Sequence, residues 1–352
     1  MVQKLSTISP STNAVVCERD ETTTPEAENI CRVTAKAFLT FRNMPFGQRK
    51  EIVTKALAWS QERKQTPGEE LTLQIGRPSA FGAKEFPYLI IVNSLIPALL
   101  AGSSVIMKLS PQTLEISDVN LVALTGSIQG GRLIREATAS RFVRVNLELG
   151  GNNPAQYKLR DPVDKMVNPG PAISRAAQKS VNSQIEEALA KAAVNALRPN
   201  PTFTNNPHHP EEGKYVAPTI LTQVNHDMVV MKAETTGPVL PIMRVPSDEE
   251  DVQLMNDNNY GLTASVWTQD LAAGERLLKL LDAGKVFINR YDYPNPRSIT
   301  VIHIYTSQVS KKRIQDLAWT RWKNSGMVYT LGPKAFDPFL KLKSYQVRGR
   351  QG

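Results

Sequence analysis

The chain has 352 residues, 41% hydrophobic and 21% charged, a composition ordinary for a globular protein and a length that favours two domains. Its net charge of +9 is local: residues 297–352 hold 11 of the 42 basic residues and 2 of the 33 acidic ones, which leaves residues 1–296 neutral. No compact basic run is interleaved with aromatics, which argues against a nucleic-acid binder, and two cysteines with four scattered histidines argue against a disulfide framework or a metal site.

Residues 1–24 are polar and read as a flexible N-terminal arm without the apolar stretch of a signal peptide; with so few cysteines, a cytoplasmic location is expected. From 26 to 41, Ile30, Val33, Ala37, Phe38 and Phe41 follow helical spacing, and Ile52, Val53, Ala56 and Leu57 mark one side of a second helix. A short helix is expected over 68–75. Residues 86–107 carry no charge and are long enough for a membrane span. Asn93, Ser94, Pro97 and Gly102 interrupt them, so a buried helix over 88–101 and a strand over 104–108 fit better, with no membrane partner.

Residues 121–124 read as a strand that turns through Thr125-Gly126-Ser127 into a helix ending near Ala139, and 142–149 as another strand. An amphipathic helix is expected over 173–192, and 199–213 form a Pro/Asn-rich loop. Strands over 216–221, 239–245, 262–267 and 285–290 then alternate with helices over 248–258 and 270–283, a pattern that argues a parallel α/β sheet. Residues 297–316 break the pattern and read as an edge strand plus loop.

Four residues stand where chemistry could be done. Ser127 opens a helix directly after a strand, where free N–H groups and the helix dipole suit a phosphate, although plain turns of this kind are common. Lys108 closes a buried strand, where it can hold a ribose or phosphate or simply reach solvent. Glu234, before a Gly-Pro turn, can accept two ribose hydroxyls or be a solvated loop acid. Glu148, in the apolar run "VNLELGG", is either a base poised by burial or a partly buried acid in a salt bridge.

The order of these motifs, "FPYLIIVNSLIPALLAGSSVIMKLSPQT", "ALTGSIQGGR", "LELGGNNPA", "MKAETTGPVLPI" and "AGKVFINR", resembles the NAD(P)-dependent aldehyde dehydrogenase superfamily, in its succinate-semialdehyde-dehydrogenase-like branch. The resemblance implies an α/β fold with a Rossmann-like parallel-sheet domain and a catalytic α/β domain, both truncated here. It divides the chain into a cofactor domain over 25–146, a catalytic domain over 147–296, an insertion over 297–316 and a basic segment with an oligomerisation arm over 317–352. By the same resemblance Glu148 is the general base, Lys108 and Glu234 contact the two riboses of NAD or NADP, and Ser127 contacts the pyrophosphate. The substrate implied is a small-molecule aldehyde, and the partner a second copy of the chain.

The departures from the family pattern are as specific as the matches. The segment that carries the nucleophilic cysteine is missing between "GGNNPAQYKLRD" and "GPAIS", while Cys17 and Cys31 lie in no matching motif. Glu85 stands where relatives have an oxyanion-binding asparagine, and Thr236 where they have a phenylalanine. Further joints fall in "IGRPSAFGAKEFP" and "PQTLEISDVNLVALTGS", so a non-catalytic dinucleotide-binding or assembly protein is the alternative expectation.

Overall fold

The computed structural model describes residues 4–62, 74, 86–107, 119–151, 171–197, 214–289, 301–305, 308–312 and 318–341. Within the expected N-terminal arm, the described residues carry regular structure. Strands β1 (Lys4–Ile8) and β2 (Val15–Asp20) form an antiparallel hairpin with Lys4 opposite Asp20. Asn13 closes its turn at φ 57° and donates its N–H to Ser9 O at 2.9 Å; Asn takes that left-handed conformation more readily than most residues.

Helix α1 (Thr24–Phe41) starts where the Glu26 carboxylate accepts from both the N–H and the hydroxyl of Thr23, each at 2.8 Å. Helices α2 (Phe46–Glu62) and α3 (Phe86–Ala101) come next. Arg49 of α2 donates to Leu100 O at 3.1 Å and to Met44 O at 2.8 Å, so one cation satisfies carbonyls at the end of α3 and in the turn before α2. Gly102, at φ 90°, ends α3 as expected. No helix among the described residues is long and apolar enough to cross a membrane. The strand expected over 104–108 is not formed over 104–107: a strand needs a neighbour, and among the described residues none pairs with this segment. The helix expected over 68–75 and the loop over 199–213 lie essentially outside the described residues.

The sheet that organises the chain begins with β3 (Leu121–Gly126), continues through helix α4 (Ile128–Thr138) and returns as β4 (Arg144–Leu149), parallel to β3 with Gly126 opposite Leu149. Gly131 lets α4 lie close on β4, since a methyl there would come within 2.6 Å of Leu149. The boundary expected between 146 and 147 falls inside β4, which pairs with β3 along its whole length.

Helix α5 (Arg175–Ala190), β5 (Val194–Asn195), β6 (Thr219–Thr222), the short helix α6 (Val229–Lys232) and β7 (Val239–Pro241) form a second unit around a separate sheet of order β5-β6-β7. Its core is Ala188, Ala193, Leu221, Val224, Met228 and Val230. Helix α7 (Asp248–Asn256), β8 (Tyr260–Gly261), β9 (Thr263–Val266), helix α8 (Leu271–Leu278) and β10 (Lys285–Ile288) complete a further unit in which β9 and β10 run parallel. These elements keep to the expected alternation with ends a few residues shorter. Strands β11 (Val301–Tyr305) and β12 (Gln308–Lys312) pair with each other, so the expected edge strand plus loop is a hairpin.

The last described segment joins the two halves. Strand β13 (Trp322–Lys323) pairs antiparallel with β8, and β14 (Gly326–Met327) pairs antiparallel with β4, placing Gly326 opposite Glu148. Residues 319–330 thus form a strap from the β8–β10 unit to the β3–β4 sheet. Gly326 sits at φ 133° with its α-carbon so close to Leu147 O that a side chain has no room. Ser325, fully buried, donates its hydroxyl to Gly150 O at 2.9 Å and accepts the Gly261 N–H at 3.0 Å, while its carbonyl accepts the Leu149 N–H at 2.9 Å. Ser325→Ala strands a buried N–H and a partly buried carbonyl, and the expected loss of about 2 kcal/mol is read from the urea midpoint.

Candidate active site

Parallel strands β3 and β4 end side by side, and the residues just beyond their ends form the candidate site: Ser127 after β3, Gly150 and Gly151 after β4. A crevice at strand C-termini is where open α/β sheets receive ligands. Ser127 is exposed and caps α4, its hydroxyl oxygen accepting the Gly130 N–H at 3.1 Å. Glu234 is brought to the neighbouring strand end from the α6–β7 turn. The residue as a whole is exposed, yet its carboxylate lies against Gly150, filling the space that a side chain there would take, and accepts the Gly151 N–H.

Two contacts hold the Glu234 segment in place. Its own N–H donates to the Tyr260 hydroxyl at 3.3 Å, and the adjacent Thr235 hydroxyl donates to the buried Gln184 amide oxygen at 2.6 Å. Burial raises the Glu234 carboxyl above the ordinary carboxylate range, and the Gly151 N–H pulls the other way without cancelling it.

Glu148, one residue before the end of β4, faces a different environment. Its Oε1 lies 3.0 Å from Arg321 Nη2, and the Arg321 side chain is 0% exposed. Of the two expected readings of Glu148, the structure displays the contact that belongs to the salt-bridged acid. Lys108 and Glu85 lie outside the described residues. Cys17 is on β2, its sulfur 3.9 Å from Glu18 O, and Cys31 is on α1, so neither thiol is on a strand that ends beside Ser127 or Gly150. No group of three or more His, Cys, Asp or Glu side chains suited to a metal occurs among the described residues.

Sequence reasoning singled out Ser127, Glu148 and Glu234 one by one but did not single out Arg321, Ser325 or Tyr260. The available signal was Arg321 itself, a cation flanked at 319 and 322 by tryptophans, a setting that demands an anion when buried.

The family model described as the aldehyde dehydrogenase family matches residues 2–87, 114–156 and 152–343. A 3,6-anhydro-α-L-galactose dehydrogenase of Streptomyces coelicolor is 25% identical over 80% of this chain and 71% of its own length. A lactaldehyde dehydrogenase of Escherichia coli is 26% identical over 64% of this chain, which spans 65% of that relative. Among solved structures, a lactaldehyde dehydrogenase aligns over 96% of this chain and 94% of its own, with TM-score 0.82 and 18% identity. A betaine aldehyde dehydrogenase from Staphylococcus aureus in complex with NAD+ aligns over 96% and 90%, with TM-score 0.79 and 18% identity. These structural likenesses establish the α/β fold.

Because the raised Glu234 carboxyl favours its protonated form in the folded chain, its contribution to stability is full at acid pH and is lost as pH rises through and above the ordinary carboxylate range. Glu234→Gln keeps an acceptor for the Gly151 N–H without the charge. It is expected to raise the melting temperature at neutral pH and to leave it unchanged well below the carboxylate range, as calorimetry across pH will show.

Proposed function

Because the chain belongs to the aldehyde dehydrogenase family, we propose that it is an oxidoreductase of that family by descent whose chain as written does not complete the oxidation of an aldehyde to a carboxylic acid. One observation carries this reading: the sequence has only Cys17 and Cys31 as thiols, and they sit on β2 and α1, neither of which is a strand ending beside Ser127 or Gly150. In the family chemistry a thiolate forms a bond to the aldehyde carbon and water later hydrolyses the thioester. Without a thiolate in the crevice, the covalent route has no first step.

The residues present fit part of a dinucleotide. The Ser127 hydroxyl and the first-turn N–H groups of α4 suit a pyrophosphate, and the Glu234 carboxylate at Gly150 suits ribose hydroxyls. NAD or NADP, when bound, supplies the acceptor for the substrate's two electrons. Ser127 and Glu234 bind and orient; no described residue supplies the nucleophile. That cradle favours the second reading, a dinucleotide-binding protein without turnover, and Lys108 completes it by family resemblance. The same reading places the chain in the cytoplasm, with cofactor and catalytic halves meeting near residue 147 and residues 317–352 serving a homo-oligomer. Residues 319–330 of that arm are already engaged within the chain as the strap.

The test is absorbance of the reduced cofactor when NAD or NADP is mixed with the purified chain and a panel of aldehydes. No turnover above background is expected. Clear turnover that disappears in Glu148→Gln contradicts the reading. Fluorescence titration with NAD at millimolar concentration is expected to show weak binding that is further weakened in Glu234→Ala.

A further inference from the structure

We propose that Arg321 is a positioning residue for Glu148 and holds its carboxylate as a counter-ion, so that Glu148 is not a water-activating base in this chain. The inference deepens the non-turnover reading and rests on it for its functional meaning, but not for its geometry.

A guanidinium stays protonated, so a buried arginine must find a negative charge. Arg321 has no exposed side-chain surface, and it spends its donors close to home: Nη2 reaches Glu148 Oε1 at 3.0 Å and Thr330 Oγ1 at 3.1 Å, and Nη1 reaches Val328 O at 3.2 Å. Among the described residues nothing meets the buried Nε, so the contacts of Nη1 and Nη2 are the ones that hold the cation. Thr330 and Val328 contribute neutral oxygens. Among the described residues the charge is balanced by Glu148.

The strap is shaped around this contact. Val328 sits at φ 71°, a left-handed conformation that a β-branched side chain disfavours and that persists only where its surroundings hold it. The Val328 carbonyl is one of the oxygens on Arg321, and Gly326, two residues earlier, lies in register with Glu148 on β4. The guanidinium therefore fixes the strap and the carboxylate together.

General base catalysis requires Glu148 to take a proton from water. Once protonated, Glu148 no longer balances Arg321, and a fully buried cation is left uncompensated. The step that would make Glu148 a base is the step that breaks the strap's only described ion pair with the sheet. Glu234 carries no such burden, since its carboxylate accepts a neutral N–H.

The experiment labels carboxyl groups of the intact chain with a water-soluble carbodiimide and glycine ethyl ester and reads each site by peptide mass spectrometry, using the exposed Glu249 as internal reference. Glu148 is expected to react about tenfold more slowly than Glu249, as a charge-assisted contact protects it. Arg321→Met is expected to abolish that protection, and Arg321→Lys, which keeps a cation, to retain most of it. Circular dichroism reports whether each variant is folded. Labelling of Glu148 at the rate of Glu249 in the unmutated chain, or undiminished protection in a folded Arg321→Met, overturns the proposal. If Arg321→Met does not fold, protection in both the unmutated chain and Arg321→Lys supports it, and its absence from the unmutated chain overturns it. Labelling is read without substrate or cofactor, so its failure is distinct from a finding of turnover.

Discussion

A charge with no access to water must be neutralised within the protein, and the buried guanidinium of Arg321 imposes that condition on the whole C-terminal strap. Its anion is on β4, its other acceptors are on the far limb of the strap, and the strap's near limb pairs with β8. Ser325 adds a neutral junction at the same place, joining the ends of β4 and β8 through a single hydroxyl. The β3–β4 sheet and the β8–β10 unit are therefore connected through a few buried and partly buried polar contacts, each costly when lost.

Two carboxylates flank Gly150, and their surroundings push them towards different tasks. Glu148 is ion-paired and serves the fold, whereas Glu234 is partly desolvated and, among the described residues, accepts a backbone N–H in place of a cation. Chemistry at a site depends on which charges are already satisfied. By that criterion Glu148 is already satisfied by Arg321, whereas Glu234 faces no cation among the described residues.

Much of the architecture could be read from periodicity. Helical spacing located α1, α2 and α5, and the strand–turn–helix run at 121–139 located β3, Ser127 and α4, because local propensity and burial agree there. The N-terminal hairpin was hidden by its Ser/Thr-rich composition, although the left-handed Asn13 at its turn was a local cue. The absent strand at 104–107 shows the opposite failure: β propensity is worthless without a neighbouring strand to complete the ladder. The partner of Glu148 was illegible for a third reason. It lies 173 positions away in sequence (321 less 148), and an ion pair at that separation leaves no periodic trace.

The tie between strap and sheet depends on the coupling between Glu148 and Arg321, and a double-mutant cycle on folding stability measures it most directly. Urea unfolding of the unmutated chain, Glu148→Gln, Arg321→Met and the double variant gives the interaction free energy. Either single change is predicted to cost about 3 kcal/mol, and the double change clearly less than their sum, leaving a coupling of about 2 kcal/mol or more, as expected for a pair in which each charge is stranded by loss of the other. Additive losses, with a coupling within about 0.5 kcal/mol of zero, would contradict it and return Glu148 to the role of an independent carboxylate.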